Sequence, residues 1–278
     1  MSMTVKPNFV GIGGQKCAST WLSECLRSHP EVFMSSPKEL RYFVDNESKG
    51  LDWYLKFFED TGSYKCRGEF ASNYIYWPES AEKIKDALGD VKIIAVVRDP
   101  VERALSHIKH LIRDGDLPEM SGEITKSHLQ DILQKHPKVL SNSCYQPGLR
   151  KYCEVFGDAS VFIVSQSTCR ESGRRVLEAL WSFLEVHEGE DIAEADQVVS
   201  AGVNPKFSWL ETLRNKTFIF AKYRAPWLIN WVKKSGLSSA YRKVNRGEEL
   251  VFGLEAAEHL KDCCADDWQA TEAMLTVR

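Results

Sequence analysis

Apolar residues along this chain come in two kinds of run. Phe9-Val10-Gly11-Ile12-Gly13 is short, apolar and closed by glycines, as a buried strand is. Ser19 to Ser28 then repeats its apolar positions with helical spacing. Lys65 to Ala71 reads as a second strand. Val91-Lys92-Ile93-Ile94-Ala95-Val96-Val97 is the clearest strand of all, β-branched and nearly all apolar. Pro100 follows at the first position of a helix, where its missing N–H costs nothing. Ser160 to Ser165 is another apolar strand, and Ser172 to Leu184 is helical again. Strands alternating with helices predict an α/β fold, a central parallel sheet flanked by helices. Beyond about Gly189 the pattern changes. Asn204 to Val232 reads as helical, aromatic and basic, and Leu254 to Leu275 as a last amphipathic helix. The expected organisation is a single domain, with an α/β core over 8–185 and a dependent helical cap over 190–278.

Composition narrows the function classes. With 278 residues, 43% of them hydrophobic, the chain has material for one large core. Its 27% charged residues sum to a formal net charge of −3, so any affinity for a polyanion must come from a local cluster of cations. That argues against nucleic acid as a partner. The segment Met1 to Phe9 is polar and mixed, unlike a secretory leader or a membrane span. Eight cysteines stand at 17, 25, 66, 144, 153, 169, 263 and 264 with no CxxC spacing. This predicts no metal site, reduced thiols and a cytoplasmic protein.

The candidate chemistry starts at Gly11-Ile12-Gly13-Gly14-Gln15-Lys16-Cys17-Ala18-Ser19-Thr20-Trp21, which joins a strand to a helix. Small residues allow successive backbone N–H groups to face one anion, and the helix N-terminus and Lys16 add positive charge. Ser19 and Thr20 add hydroxyls in the first helical turn. A triphosphate-cleaving loop would need glycine before the lysine and Ser or Thr after it, to hold magnesium. Here those places hold Gln15 and Cys17, and a thiol is a poor ligand for so hard a cation. A nucleotide-dependent small-molecule kinase is therefore the weaker reading.

Two motifs in register carry a resemblance. Lys16-Cys17-Ala18-Ser19-Thr20-Trp21-Leu22 resembles the 5′-phosphosulfate loop of sulfotransferases that use 3′-phosphoadenosine-5′-phosphosulfate (PAPS). Val96-Val97-Arg98-Asp99-Pro100, running on through Glu102 and Arg103 to Ser106 and His107, is similar to their 3′-phosphate motif. Ser36-Pro37-Lys38-Glu39-Leu40-Arg41-Tyr42-Phe43 and Gly68-Glu69-Phe70-Ala71-Ser72-Asn73-Tyr74 fit the branch resembling heparan-sulfate and related carbohydrate sulfotransferases. The likeness extends over 8–185 and is thin beyond. It implies a P-loop-like sulfotransferase fold and in-line transfer of a sulfuryl group from PAPS, without metal. The acceptor would be a hydroxyl or amine, and the product adenosine 3′,5′-bisphosphate.

The resemblance also implies roles. The loop Gln15, Lys16, Cys17, Ala18, Ser19 and Thr20 would hold the cofactor, with Lys16 stabilising charge on the leaving phosphate. Trp21 would stack on adenine or belong to the core. Arg98 and Ser106 would bind the 3′-phosphate. Tyr145 would line the nucleotide site, and Arg242 and Lys243 would close over it. Glu69 is the expected general base and His107 the runner-up; where the family often has lysine after that glutamate, this chain has Phe70. Lys38, Ser72 and Tyr74 would meet the acceptor, which is a small molecule, a carbohydrate or a lipid. Lys216 to Lys234, basic and aromatic, is a candidate for peripheral membrane contact. A nucleotide-binding protein without turnover is the further alternative.

Overall fold

The computed structural model describes residues 5–187 and 249–277. In chain order it contains β1 (Phe9–Gly11), α1 (Ser19–Ser28), β2 (Val32–Met34), α2 (Leu51–Leu55), β3 (Cys66–Phe70) and α3 (Ser80–Leu88). There follow β4 (Lys92–Val97), α4 (Pro100–Asp114), β5 (Glu123–Ile124), α5 (Lys126–Lys135) and α6 (Lys138–Ser141). Next come α7 (Gln146–Phe156), β6 (Val161–Ser165), α8 (Gln166–Glu171) and α9 (Gly173–Leu184). The last elements are β7 (Val251–Phe252) and α10 (Leu254–Ala273). The described residues fall into two compact units, one of 5–100, 141–187 and 264–277, the other of 101–140 and 249–263.

The first unit is built on a parallel sheet of order β2-β3-β1-β4-β6. Strand β4 pairs on both edges, with β1 and with β6, and Ile93 to Val97 are all buried. A strand enclosed on both faces must be apolar along its whole length, which is why its sequence lacks alternation. Helix α7 packs on β4 and β6, α9 on β6, and α3 on α7. In α1, Leu22, Cys25 and Leu26 face the core while Glu24, Arg27 and Ser28 face water. Each such enclosed aliphatic side chain contributes about 1.5–3 kcal/mol. The helix ends at Ser28 because Pro30 drives His29 into extended backbone, φ −78° and ψ 128°.

The expected strands and helices of this unit are present with bounds shifted by one or two residues. Strand β2 was not anticipated: three residues give too short a run for a period to register. The second unit has its own apolar core, in which Ala104, Ile108 and Ile112 of α4 meet Leu129 and Ile132 of α5, Leu250, Ala256 and Leu260. Its strands β5 and β7 form a two-stranded parallel pair. Residues 101–140, which strand–helix alternation assigned to the α/β core, thus group with 249–263. The helical reading of Asn204 to Val232, the membrane-contact segment Lys216 to Lys234, and Arg242 and Lys243 lie outside the described residues.

Candidate active site

The phosphate loop leaves β1 pinned to the sheet. The Ile12 N–H donates to Ile94 O at 2.9 Å and the Gly14 N–H to Val96 O at 2.7 Å, continuing the β4 ladder past the end of β1. A side chain on Gly14 would stand 3.0 Å from Cys17 Sγ and 3.1 Å from Val96 O, so glycine keeps this approach close. The Gln15 N–H donates to the Tyr76 hydroxyl at 3.0 Å. Lys16 and Ala18 both have φ 69°, left-handed backbone that costs a non-glycine residue about 1 kcal/mol or more. Cys17 between them does not share it. Left-handed residues in such a turn suit the backbone geometry of an anion nest at the head of α1, while the Cys17 N–H itself donates to Gly14 O at 3.2 Å.

Arg98, the first residue past β4, donates from Nη1 to Lys16 O at 3.2 Å and is half-buried. Its own carbonyl accepts from the Tyr145 hydroxyl at 3.0 Å. The same hydroxyl lies 3.5 Å from Cys17 Sγ. Tyr145 is wholly enclosed, and its N–H and that of Gln146 donate to the Asp267 carboxylate at 2.7 and 2.9 Å. It therefore braces the floor of the loop and has no surface to offer a nucleotide. Trp21 is 8% exposed and part of the apolar core, the second of its two expected roles.

Lys38 comes to the head of α1 from the segment after β2. Its Nζ donates to Ser19 Oγ at 3.2 Å and to Thr20 Oγ1 at 3.3 Å. Burial holds its pKa below that of an ordinary lysine, against the opposing pull of Glu39. The Glu39 carboxylate is 3.7 Å from Lys38 Nζ, one-third exposed, and accepts from Ser72 Oγ at 2.8 Å. Cation, carboxylate and three hydroxyls thus converge beside the phosphate loop, all within the first unit.

Glu69 occupies a different environment. It is 0% exposed; its Oε2 accepts from the Leu40 N–H at 3.1 Å and its Oε1 from the Tyr74 hydroxyl at 2.9 Å. Desolvation raises its pKa to about 7, against hydrogen bonds that lower it, Tyr74 foremost. The buried Tyr54 hydroxyl faces the same carboxylate without completing a hydrogen bond of normal geometry. Tyr74 is itself fully enclosed, so of the three residues expected at the acceptor only Lys38 keeps appreciable exposure. Ser106 and His107 lie half-buried on α4 in the second unit. There His107 Nδ1 sits 3.4 Å from Arg103 Nη1. A guanidinium only donates, so this ring nitrogen is an acceptor.

Glu39 is the residue that sequence reasoning passed over. Its signal was its place between Lys38 and Leu40 in a segment already singled out. What the letters do not carry is its left-handed backbone, φ 63°, which turns the carboxylate back toward Ser72.

No protein-family model matches the chain. Among curated proteins it is 40% identical over 103 residues to the membrane-associated sulfotransferase kil1 of Dictyostelium discoideum, covering 36% of this chain and 22% of that one. It is 26% identical over 208 residues to the bifunctional heparan sulfate N-deacetylase/N-sulfotransferase 4 of Mus musculus, covering 68% of this chain and 23% of the relative. The chain thus spans under a quarter of the length of these relatives. Among solved structures, a sulfotransferase from Alicyclobacillus acidocaldarius superposes with TM-score 0.61 at 22% identity, covering 70% of this chain and 87% of that one. A sulfotransferase domain from the curacin biosynthetic pathway gives TM-score 0.52 at 14% identity, covering 72% and 82%. Among the described residues no helix is long and apolar enough to cross a membrane. The chain has the sulfotransferase fold, and its sequence resembles the sulfotransferases of the heparan sulfate branch.

Proposed function

We propose that this chain transfers a sulfuryl group from PAPS to a hydroxyl or amine of a carbohydrate, releasing adenosine 3′,5′-bisphosphate. The observation that carries this reading is the bonding of Lys38 to Ser19 and Thr20 beside the Glu39 carboxylate. The hydroxyls of the first helical turn, Ser19 and Thr20, here bond an ammonium group, and a proton acceptor stands next to it. That pairing suits an anionic group in transfer and an acceptor that must lose a proton.

The residues divide the work. The left-handed turns at Lys16 and Ala18 direct backbone N–H groups at the 5′-phosphosulfate, and Arg98 offers a guanidinium fork to the nucleotide phosphate. The role expected of Ser106 rests on the motif alone. In the reaction an acceptor O–S or N–S bond forms as the bond from sulfur to the phosphate oxygen breaks. Lys16 stabilises the charge left on that oxygen, Lys38 the sulfuryl oxygens, and Glu39 accepts the acceptor's proton. Glu39 takes this role here because its carboxylate is reachable, whereas that of Glu69 is wholly enclosed; His107 stays the runner-up on its motif. The names of the heparan sulfate relatives support a carbohydrate acceptor over a small alcohol or a lipid. A cytoplasmic placement rests only on the spacing of the cysteines, while one relative is named membrane-associated.

The test pairs binding with turnover. Adenosine 3′,5′-bisphosphate at ~100 times its dissociation constant should stabilise the protein by about 2.7 kcal/mol in thermal denaturation. Magnesium-ATP should not, and Lys16→Ala and Arg98→Ala should lose the effect. Radiolabelled PAPS with N-desulfated heparan sulfate then reads transfer. Stabilisation by magnesium-ATP alone would replace this reading with a kinase. Bisphosphate binding without transfer to any acceptor would leave a nucleotide-binding protein.

A further inference from the structure

Two cysteines 120 residues apart in sequence meet where α10 packs on the turn before α7. Their Sγ atoms, of Cys144 and Cys264, stand 3.8 Å apart. Cys144 is half-buried and Cys264 is 1% exposed. The turn and the helix are already aligned by other bonds. Cys264, Asp267 and Thr271 recur at helical spacing along one face of α10. The Asp267 carboxylate accepts from the N–H groups of Tyr145 and Gln146 at 2.7 and 2.9 Å, and Thr271 Oγ1 from the Gln146 amide at 3.3 Å. The Trp268 ring lies 6.3 Å from that of Tyr145. The Tyr145 hydroxyl in turn donates to Arg98 O and lies against Cys17 Sγ. The turn that α10 holds is therefore the one that braces the phosphate loop, and all of these residues belong to the first unit.

We propose that Cys144 and Cys264 are an oxidative modification site, a thiol pair that a small-molecule disulfide such as oxidised glutathione joins into a bond fastening α10 to the 144–146 turn. A disulfide holds its sulfurs at about 2 Å, so the bond closes by a movement of less than about 2 Å. The half-buried Cys144 is the sulfur that solvent reaches. As thiolate it attacks the reagent, one small thiol leaves, and a mixed disulfide remains on Cys144. The Cys264 sulfur then attacks that of Cys144 and expels the second small thiol. The two protein thiols give up two protons and two electrons, and the reagent is reduced to two thiols. In a compartment that keeps thiols reduced the pair stays open, and the bond forms when such a disulfide accumulates. What the bond does for the cofactor rests on the proposed reading of the phosphate loop; the bond itself does not.

The test treats the full chain with oxidised glutathione, removes the reagent and maps the product by mass spectrometry of its peptides. Wild type should lose the mass of two hydrogens and yield one linked peptide pair, Cys144 with Cys264. Cys264→Ala should keep glutathione on Cys144, the intermediate that its partner would have displaced, and Cys144→Ser should give no linked pair. Cys144 is half-buried, so the serine variant serves if substitution of the enclosed Cys264 prevents folding. The oxidised chain should melt about 5 °C or more above the reduced one, because the bond closes a loop of 120 residues in the unfolded ensemble. Hydrogen exchange at the Tyr145 and Gln146 amides should slow by about tenfold, and binding of adenosine 3′,5′-bisphosphate should persist to higher urea. Both effects should vanish on reduction with dithiothreitol. Glutathione left on wild-type Cys144, linkage of Cys144 to the exposed Cys263, or exchange unchanged by the bond would each overturn the proposal. Should the linked pair form and slow exchange in a chain that binds no bisphosphate, the functional reading fails and the modification site stands.

Discussion

Lys38 Nζ stands 3.2 Å from Ser19 Oγ, joining the segment after β2 to the first turn of the helix that follows the phosphate loop. On the proposed reading, a cation placed there meets the group in transfer and not the bisphosphate that remains. Lys38→Ala should therefore lower kcat by about 10²-fold, the scale for removing one preplaced donor from a developing charge. Its affinity for adenosine 3′,5′-bisphosphate, read by calorimetry, should stay within about threefold. An equal loss in both would make Lys38 a phosphate ligand. Because burial lowers its pKa, activity should begin to fall on the alkaline side before an ordinary lysine would lose its proton.

Arg98 holds the loop through Lys16 O, and on the proposed reading its guanidinium also meets the nucleotide phosphate. Charge-assisted hydrogen bonds contribute about 1.5–3 kcal/mol, so Arg98→Ala should weaken bisphosphate binding by about 10- to 100-fold. Arg98→Lys restores the charge but not the fork, and should recover only part of that loss. Full recovery by lysine would mean that charge alone matters at this position.

The distribution of what could be read in advance follows from range. Strand β4 and helix α1 were legible because their buried faces repeat within a few residues of sequence, and the loop between Gly11 and Trp21 because its chemistry is contiguous. Lys38 was legible as a candidate through its motif. The motif singled out Glu69 and passed over Glu39, though each is a glutamate in a family-like segment. What separates them is that Glu69 points under the 40–43 stretch and Glu39 out of it, the result of two left-handed residues that no periodicity announces. Tyr145 was expected to line the nucleotide site or to pack; its hydroxyl donates to Arg98 O, a contact 47 residues away in sequence.

Glu69 also leaves a signature in stability. Its pKa rises from 4.5 to about 7 on folding, so between those values the folded chain binds more protons than the unfolded one. Stability must then fall as pH climbs through that window and level off above it. The shift corresponds to a contribution of about 3 kcal/mol, present below pH 4.5 and lost by about pH 8. Glu69→Gln has no such titration. Denaturant melts of the two proteins from pH 4.5 to 8 should show wild type losing ground steadily to the variant. Parallel curves would mean that the buried carboxyl keeps its ordinary pKa.

Gly148 ties a helix far in sequence to the phosphate loop. A Cβ at this position on α7 would stand 2.0 Å from the carbonyl oxygen of Ile75, a contact with backbone that cannot rotate away. The Ile75 N–H donates to Ile12 O at 2.9 Å, and the next residue, Tyr76, gives its hydroxyl to the Gln15 N–H at 3.0 Å. Separating α7 from the 74–76 turn thus pulls on both ends of the loop. Gly148→Ala should cost about 1–3 kcal/mol in denaturant unfolding, the usual scale for overpacking. Unlike a surface substitution of similar size, it should also weaken bisphosphate binding, because the displaced turn carries the acceptor for Gln15. The check is a paired measurement of unfolding midpoint and bisphosphate affinity. A loss of stability with full affinity would mean that α7 moves and the 74–76 turn stays with β1.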